Sequence, residues 1–117
     1  MAPPESVPVS LEGVKMCVMS TAANGVVGRE TIFEFHQQGR VVTAPYRGGK
    51  IVAGYLAGVW KGSVLNFRYV QVTVDQVLQS GSSAAKLTRS AAGRLCLEEN
   101  FQWDAAGGTG TNIFEEI

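Results

Sequence analysis

Leu95, Leu97, Phe101 and Trp103 alternate along one face of the segment "RLCLEENFQW", and the member that completes their row is Glu99. A carboxylate among four apolar side chains is costly if it is ionised and alone. It must be hydrogen-bonded, paired, or protonated with a raised pKa. Such a group serves an enzyme as general acid or base, and it serves a binding site as the polar anchor for an otherwise apolar ligand. Tyr46, Tyr55 and Tyr69 are the expected hydrogen-bond donors to it. Glu99, Tyr69 and Tyr46 are therefore the candidate catalytic groups, and Tyr55, Phe33, Phe35, Phe67, Phe101 and Trp103 join them as candidate ligand-lining residues. The alternatives are a Glu99 at a barrel mouth reaching solvent or a surface arginine, and aromatic side chains that only pack a core.

Other chemistries have little support. His36 is the single histidine, and Cys17 and Cys96 stand apart without C-x-x-C spacing, so no metal or haem site is expected and no cofactor is implied. The cysteines read as buried thiols. No G-x-S-x-G motif offers a serine to the histidine. "GGTGT" follows a strand and opens no helix, which makes it a hairpin loop rather than a phosphate cradle.

Ten acidic and ten basic residues in 117 leave the chain neutral, without the basic footprint of a nucleic-acid or acidic-membrane binder. The ten-residue run "IVAGYLAGVW" is about half of what a bilayer-spanning helix needs. "MAPPESVPVS" has prolines and a glutamate where a secretory signal has basic and then apolar residues, so residues 1–10 are expected to form a flexible arm and the protein to be cytoplasmic. Residues 11–117 fit one domain with a single core.

Period-two alternation between turn signals recurs along the chain and predicts an all-β fold: a small, eight-stranded, antiparallel up-and-down barrel. The strands read as "GVKMCVMS", "RETIFEFHQ", "RVVTAPY", "KIVAGYLAGVW", "SVLNFRYVQV", a sixth from about Gln76 to Leu87, "RLCLEENFQW" and "IFEEI". Residues 83–93, with their alanines and closing glycine, suit either a strand or two helical turns, and strand to about Thr88 is preferred. A two-residue turn at Gln38-Gly39 places Phe33 and Phe35 on the face of Val42, Ala44 and Tyr46. A turn at Gly48-Gly49 pairing Tyr46 with Ile51 would carry Ala53, Tyr55, Ala57 and Val59 inward as well. A three-residue turn near Lys61-Gly62 would bring in Leu65, Phe67 and Tyr69. His36, Glu34, Arg68 and Glu98 then face out. A barrel of this size is filled by side chains or holds one small ligand.

The pieces "ETIFEFHQQG", "YRGG" followed by Ile51, Gly54, Leu56 and Gly58, "FRYVQV", "GRLCLEE" with "QW", and "FEEI" resemble a family of short bacterial proteins commonly named N-acetylglutamate synthase. The resemblance runs from about Glu30 to Ile117, and its pattern has a glutamate at Glu99 and matches Arg68, Tyr69 and Trp103. It departs at the Lys61-Gly62 turn, Pro45 and Asn100. Acetyl-CoA-dependent transferases of the usual kind open a helix with a pyrophosphate-binding Q/R-x-x-G-x-G/A loop, which this chain lacks, so the activity in that name is not carried over. The barrel itself resembles calycin-like and avidin-like proteins, which implies a small, mostly apolar or amphipathic ligand. It also resembles allene oxide cyclase and other β-barrel cyclases, which implies a cofactor-independent cyclase or isomerase of a natural-product pathway. A solid, structural barrel without a ligand, acting through its surface or as a homo-oligomer, is the third expectation.

Overall fold

The computed structural model describes residues 9–23, 25–105 and 108–117. The proposed N-terminal arm, except Val9 and Ser10, lies outside the described residues, as do Asn24 and the start of the "GGTGT" loop. The strands are β1 (Lys15–Thr21), β2 (Ile32–Glu34), β3 (His36–Gln38), β4 (Val41–Gly48), β5 (Ile51–Lys61), β6 (Val64–Thr73), β7 (Leu78–Arg89), β8 (Leu95–Trp103) and β9 (Thr109–Glu116). β2 and β3 are halves of one stave interrupted at Phe35, because both pair with β4 in a single register: Phe33 opposite Tyr46, His36 opposite Thr43. Each stave is antiparallel to the next, and β2 pairs with both β1 and β4, which closes eight staves into an up-and-down barrel. Closure removes the unpaired sheet edges. The doubtful segment resolves as strand to Arg89, followed by a turn into β8.

The two ends of the barrel differ in kind. At the end carrying the 39–40, 62–63 and 90–94 turns, Trp60, Leu65, Val42, Leu97, Met16 and the pre-strand residue Leu11 are fully buried and pack as an apolar plug. At the other end the inward residues turn polar and aromatic, and the 22–31 connection folds Val26 and Val27 against the core.

The inward face of β5 differs from the expected one. Opposite β6, Ile51 faces Thr73 and Ala53 faces Val72, so β5 carries one extra residue, Val52, as a bulge. A one-residue slip moves every later side chain to the other face. Leu56 and Trp60 are consequently buried, while Tyr55 points outward at 47% exposure, with Ala53, Ala57 and Val59 also exposed. Tyr46 faces Gly54 instead of Ile51. The following turn holds two residues, Gly62 and Ser63, rather than three, with Lys61 opposite Val64. Leu65, Phe67 and Tyr69 nevertheless face inward, because the bulge and the shorter turn offset one another. At the β3–β4 turn the register sits two residues from the expected pairing, with Gln37 opposite Val42, and an even shift leaves the faces unchanged.

The interior glycines are matched to rings. Gly54 lies opposite Tyr46, Gly58 opposite Phe67, Gly81 opposite Tyr69 and Gly110 opposite Phe101. A Cβ at any of the four would run into its facing residue. The Tyr46, Tyr69 and Phe101 side chains therefore lie across a neighbouring strand at the one residue type that admits them, so that broad rings fit a narrow barrel. At Gly58 the obstruction includes the Asn66 carbonyl oxygen and the Phe67 backbone, which cannot rotate away. Gly58→Ala is expected to cost about 1–3 kcal/mol in urea denaturation, whereas Val70→Ala on the outer face should stay within about 0.5 kcal/mol.

Candidate functional site

Inward alternation along β4, β6 and β8 brings Tyr46, then Phe67, Tyr69 and Gln71, then Glu99, Phe101 and Trp103 into the polar half of the barrel. With Phe33, Leu56, Asn112 and Phe114 they line a cavity to which Gly25, Val26 and Val27 also contribute. The space open to the centre of a water molecule is about 30 Å³. That admits a body of a few heavy atoms. Phe33 and Tyr46 stack with ring centroids 4.3 Å apart, and Trp103 meets Tyr69 at 5.6 Å and Phe101 at 5.5 Å edge to face.

Glu99 is 4% exposed. Its Oε2 accepts the Ser83 hydroxyl at 2.6 Å, and its Oε1 accepts the Asn112 amide at 2.7 Å. Asn112 is held in turn by the Thr21 hydroxyl, which donates to its Oδ1 at 2.5 Å. Burial pushes the Glu99 carboxyl above the usual carboxylate range, and the Ser83 and Asn112 hydrogen bonds offset part of that rise. The tyrosines expected to donate to it do otherwise. Tyr46 donates to Gln71 Oε1 at 2.8 Å, Gln71 donates to Gln79 Oε1 at 3.0 Å, and Tyr69 reaches the Gln102 carbonyl at 3.4 Å. Both phenols are held well above their ordinary pKa, first by burial and then by the nearby Glu99 charge, so they stay neutral in the physiological range.

Of the sequence candidates, Glu99, Tyr46, Tyr69, Phe33, Phe67, Phe101 and Trp103 converge on this cavity. Tyr55 does not, since the Val52 bulge turns it outward. Phe35 is buried but lies outside the lining. His36 is on the surface beside Glu12. No group of three or more potential metal-ligating side chains occurs among the described residues. Neither does a helix long and apolar enough to cross a membrane.

Sequence reasoning missed Gln71, Ser83 and Asn112. Gln71 shares the period-two row of Phe67 and Tyr69, so its inward aim was readable. Asn112 shares the row of Phe114, but the last strand begins at Thr109, four residues earlier than its apolar pattern suggests. Ser83 lay in the ambiguous segment.

A family model described as avidin-like protein matches residues 9–117, the whole length of the barrel. The chain belongs to the avidin-like family. Among curated proteins and among solved structures nothing matches it significantly. The avidin-like barrel thus has a family and a fold, while its ligand must be argued from the cavity.

Proposed function

We propose that this avidin-like barrel binds a small, mostly apolar or amphipathic molecule in the cavity beneath Val26 and Val27. The observation that carries the reading is the meeting of several aromatic rings and one buried carboxylate in a single pocket. Folding alone gives no reason to retain that carboxylate, because a buried charge opposes stability unless it is fully compensated. Pockets of this composition hold ligands by apolar contact and orient them with a few polar groups.

Native mass spectrometry of protein purified from its own host tests the proposal. The expected result is a retained small molecule, whose removal lowers the melting temperature and whose return restores it. A bare barrel that no apolar or amphipathic compound stabilises would end the proposal.

Self-association through a second copy is a separate part of the proposal. The outward row Pro45, Tyr55 and Val70 runs across adjacent strands, beside Ala53, Val72 and the exposed Leu78. The charge next to the Val70 end of this row, Arg68, is already met by Asp104 at 2.6 Å, while exposed Arg47 borders the row at the Pro45 end. A monomer mass in light scattering would exclude it.

A further inference from the structure

The cavity contains an acidic group without a basic one. Resting on the binding reading above, we propose that the polar group it accepts is a small organic cation, of alkylammonium or guanidinium type, seated between Glu99 and the aromatic rings.

Three observations lead there. Glu99 is held by two neutral donors, and among the described residues no lysine, arginine or histidine pairs with it. Arg68, on the strand that carries Phe67 and Tyr69, points outward to Asp104 and so supplies no charge to the interior. The second observation is the pattern of donors and acceptors. The hydroxyl donors of Tyr46, Tyr69 and Ser83 each already serve a protein acceptor, and the Gln71 and Asn112 amides each commit one of their two N–H groups. Acceptor capacity is left for a ligand on the carboxylate, the phenol oxygens and Gln71 Oε1, beside one N–H each of the Gln71 and Asn112 amides and the Trp103 indole N–H. A guest matched to the carboxylate and the phenol oxygens brings donors to them. The third observation is the wall of aromatic rings, with Phe33 stacked on Tyr46 and Trp103 edge to face with Tyr69 and Phe101. Ring faces attract a cation, and the attraction grows when water is excluded. A carboxylate and π faces acting together favour a cation over a neutral molecule of the same shape. The small volume restricts the seated part to a head group, and any longer apolar tail would leave under Val26 and Val27.

The test compares guanidinium with urea, which share a shape and differ in charge, and adds methylammonium. All are used at millimolar concentration and constant ionic strength on the full chain. Binding is followed by the Trp103 indole resonance and by isothermal titration. Guanidinium or methylammonium should saturate the site at least about tenfold more tightly than urea, the free-energy equivalent of a desolvated cation–π contact with a carboxylate partner. Glu99→Gln should abolish that preference. A measurement on the unaltered protein guards against a variant that fails to fold: cation binding should weaken in acid as Glu99 takes up a proton. The titratable groups facing it, Tyr46 and Tyr69, stay neutral throughout that range. Urea binding as tightly as guanidinium would overturn the inference, as would pH-independent cation binding or an undiminished preference in Glu99→Gln. A neutral host molecule retained in the cavity while the cations fail would overturn this inference and leave the binding reading intact. If neither cations nor host compounds occupy the cavity, both readings fall.

Discussion

Glu99→Gln is expected to yield a barrel more stable than the natural one at neutral pH, with the advantage disappearing in acid. The side chain keeps its shape, and the hydrogen bonds can be preserved. The glutamine oxygen accepts from Asn112 while its amide donates to Ser83, whose hydroxyl is free to rotate and accept. Only the buried charge is lost. The direction in pH follows from linkage. In the folded chain the Glu99 carboxyl titrates above 4.5, its ordinary value in the unfolded chain. Between those two values the folded state holds a proton that the unfolded state has released, so stability falls as pH rises through this window and is level above it. Glutamine has no such dependence. The two stability curves should therefore lie closest near pH 4.5 and part as pH rises. At neutral pH the gap should be on the order of 1–3 kcal/mol, as for a buried charged group whose compensation is incomplete. Every other titrating group is common to both proteins and cancels in the difference. Urea melts of the two proteins across that range measure it directly, and parallel curves would show that the carboxylate is fully compensated by Ser83 and Asn112. A residue that lowers the stability of its own fold in this way is expected where function requires it.

The architecture was legible in the sequence because period-two rows survive small errors of register. Phe33, Phe35, Val42, Ala44 and Tyr46 were placed on the correct face although the β3–β4 pairing lies two residues away from the expected one. β5 was not legible in the same way. "IVAGYLAGVW" alternates small with large residues on both faces, so neither face identifies itself as the core. The Val52 bulge that selects Leu56 and Trp60 over Tyr55 and Val59 arises from pairing with β6, a non-local cause. The glycines held a clue to it: Gly54 takes the Tyr46 ring and Gly58 the Phe67 Cβ from adjacent strands, so both belong to the inward row. The same limit applied at the site. A carboxylate aimed into the barrel followed from its row alone. Its partners followed from which strands become neighbours, and Ser83 and Asn112 sit on β7 and β9, the two strands flanking Glu99.

Trp60→Ala should be among the most destabilising single substitutions in this barrel, at about 3–5 kcal/mol, and should still leave the ligand site intact. Trp60 is fully buried at the apolar end, and its indole N–H donates to Gln37 Oε1 at 3.3 Å. The same oxygen accepts the backbone N–H of Leu11 at 2.9 Å. One side chain thus ties together the end of β5, the β3 half-stave and the segment that leads into β1. Truncation removes the largest fully buried side chain of the plug, and rigid staves on all sides limit how far the hole can collapse. Set against a typical total of about 5–15 kcal/mol, the loss should bring the midpoint of urea unfolding sharply down and lower the melting temperature by ten degrees or more, at about 4 °C or so per kcal/mol for a chain of this size. A loss below about 1 kcal/mol would mean that the plug does not hold the barrel closed. Below its melting temperature the variant should bind the same ligands as the natural protein, because Trp60 is absent from the cavity lining and lies toward the opposite end of the barrel. Glu99→Gln should show the converse, altered binding in a barrel of undiminished stability. Together the pair would separate the half of the interior that closes the fold from the half that receives the ligand.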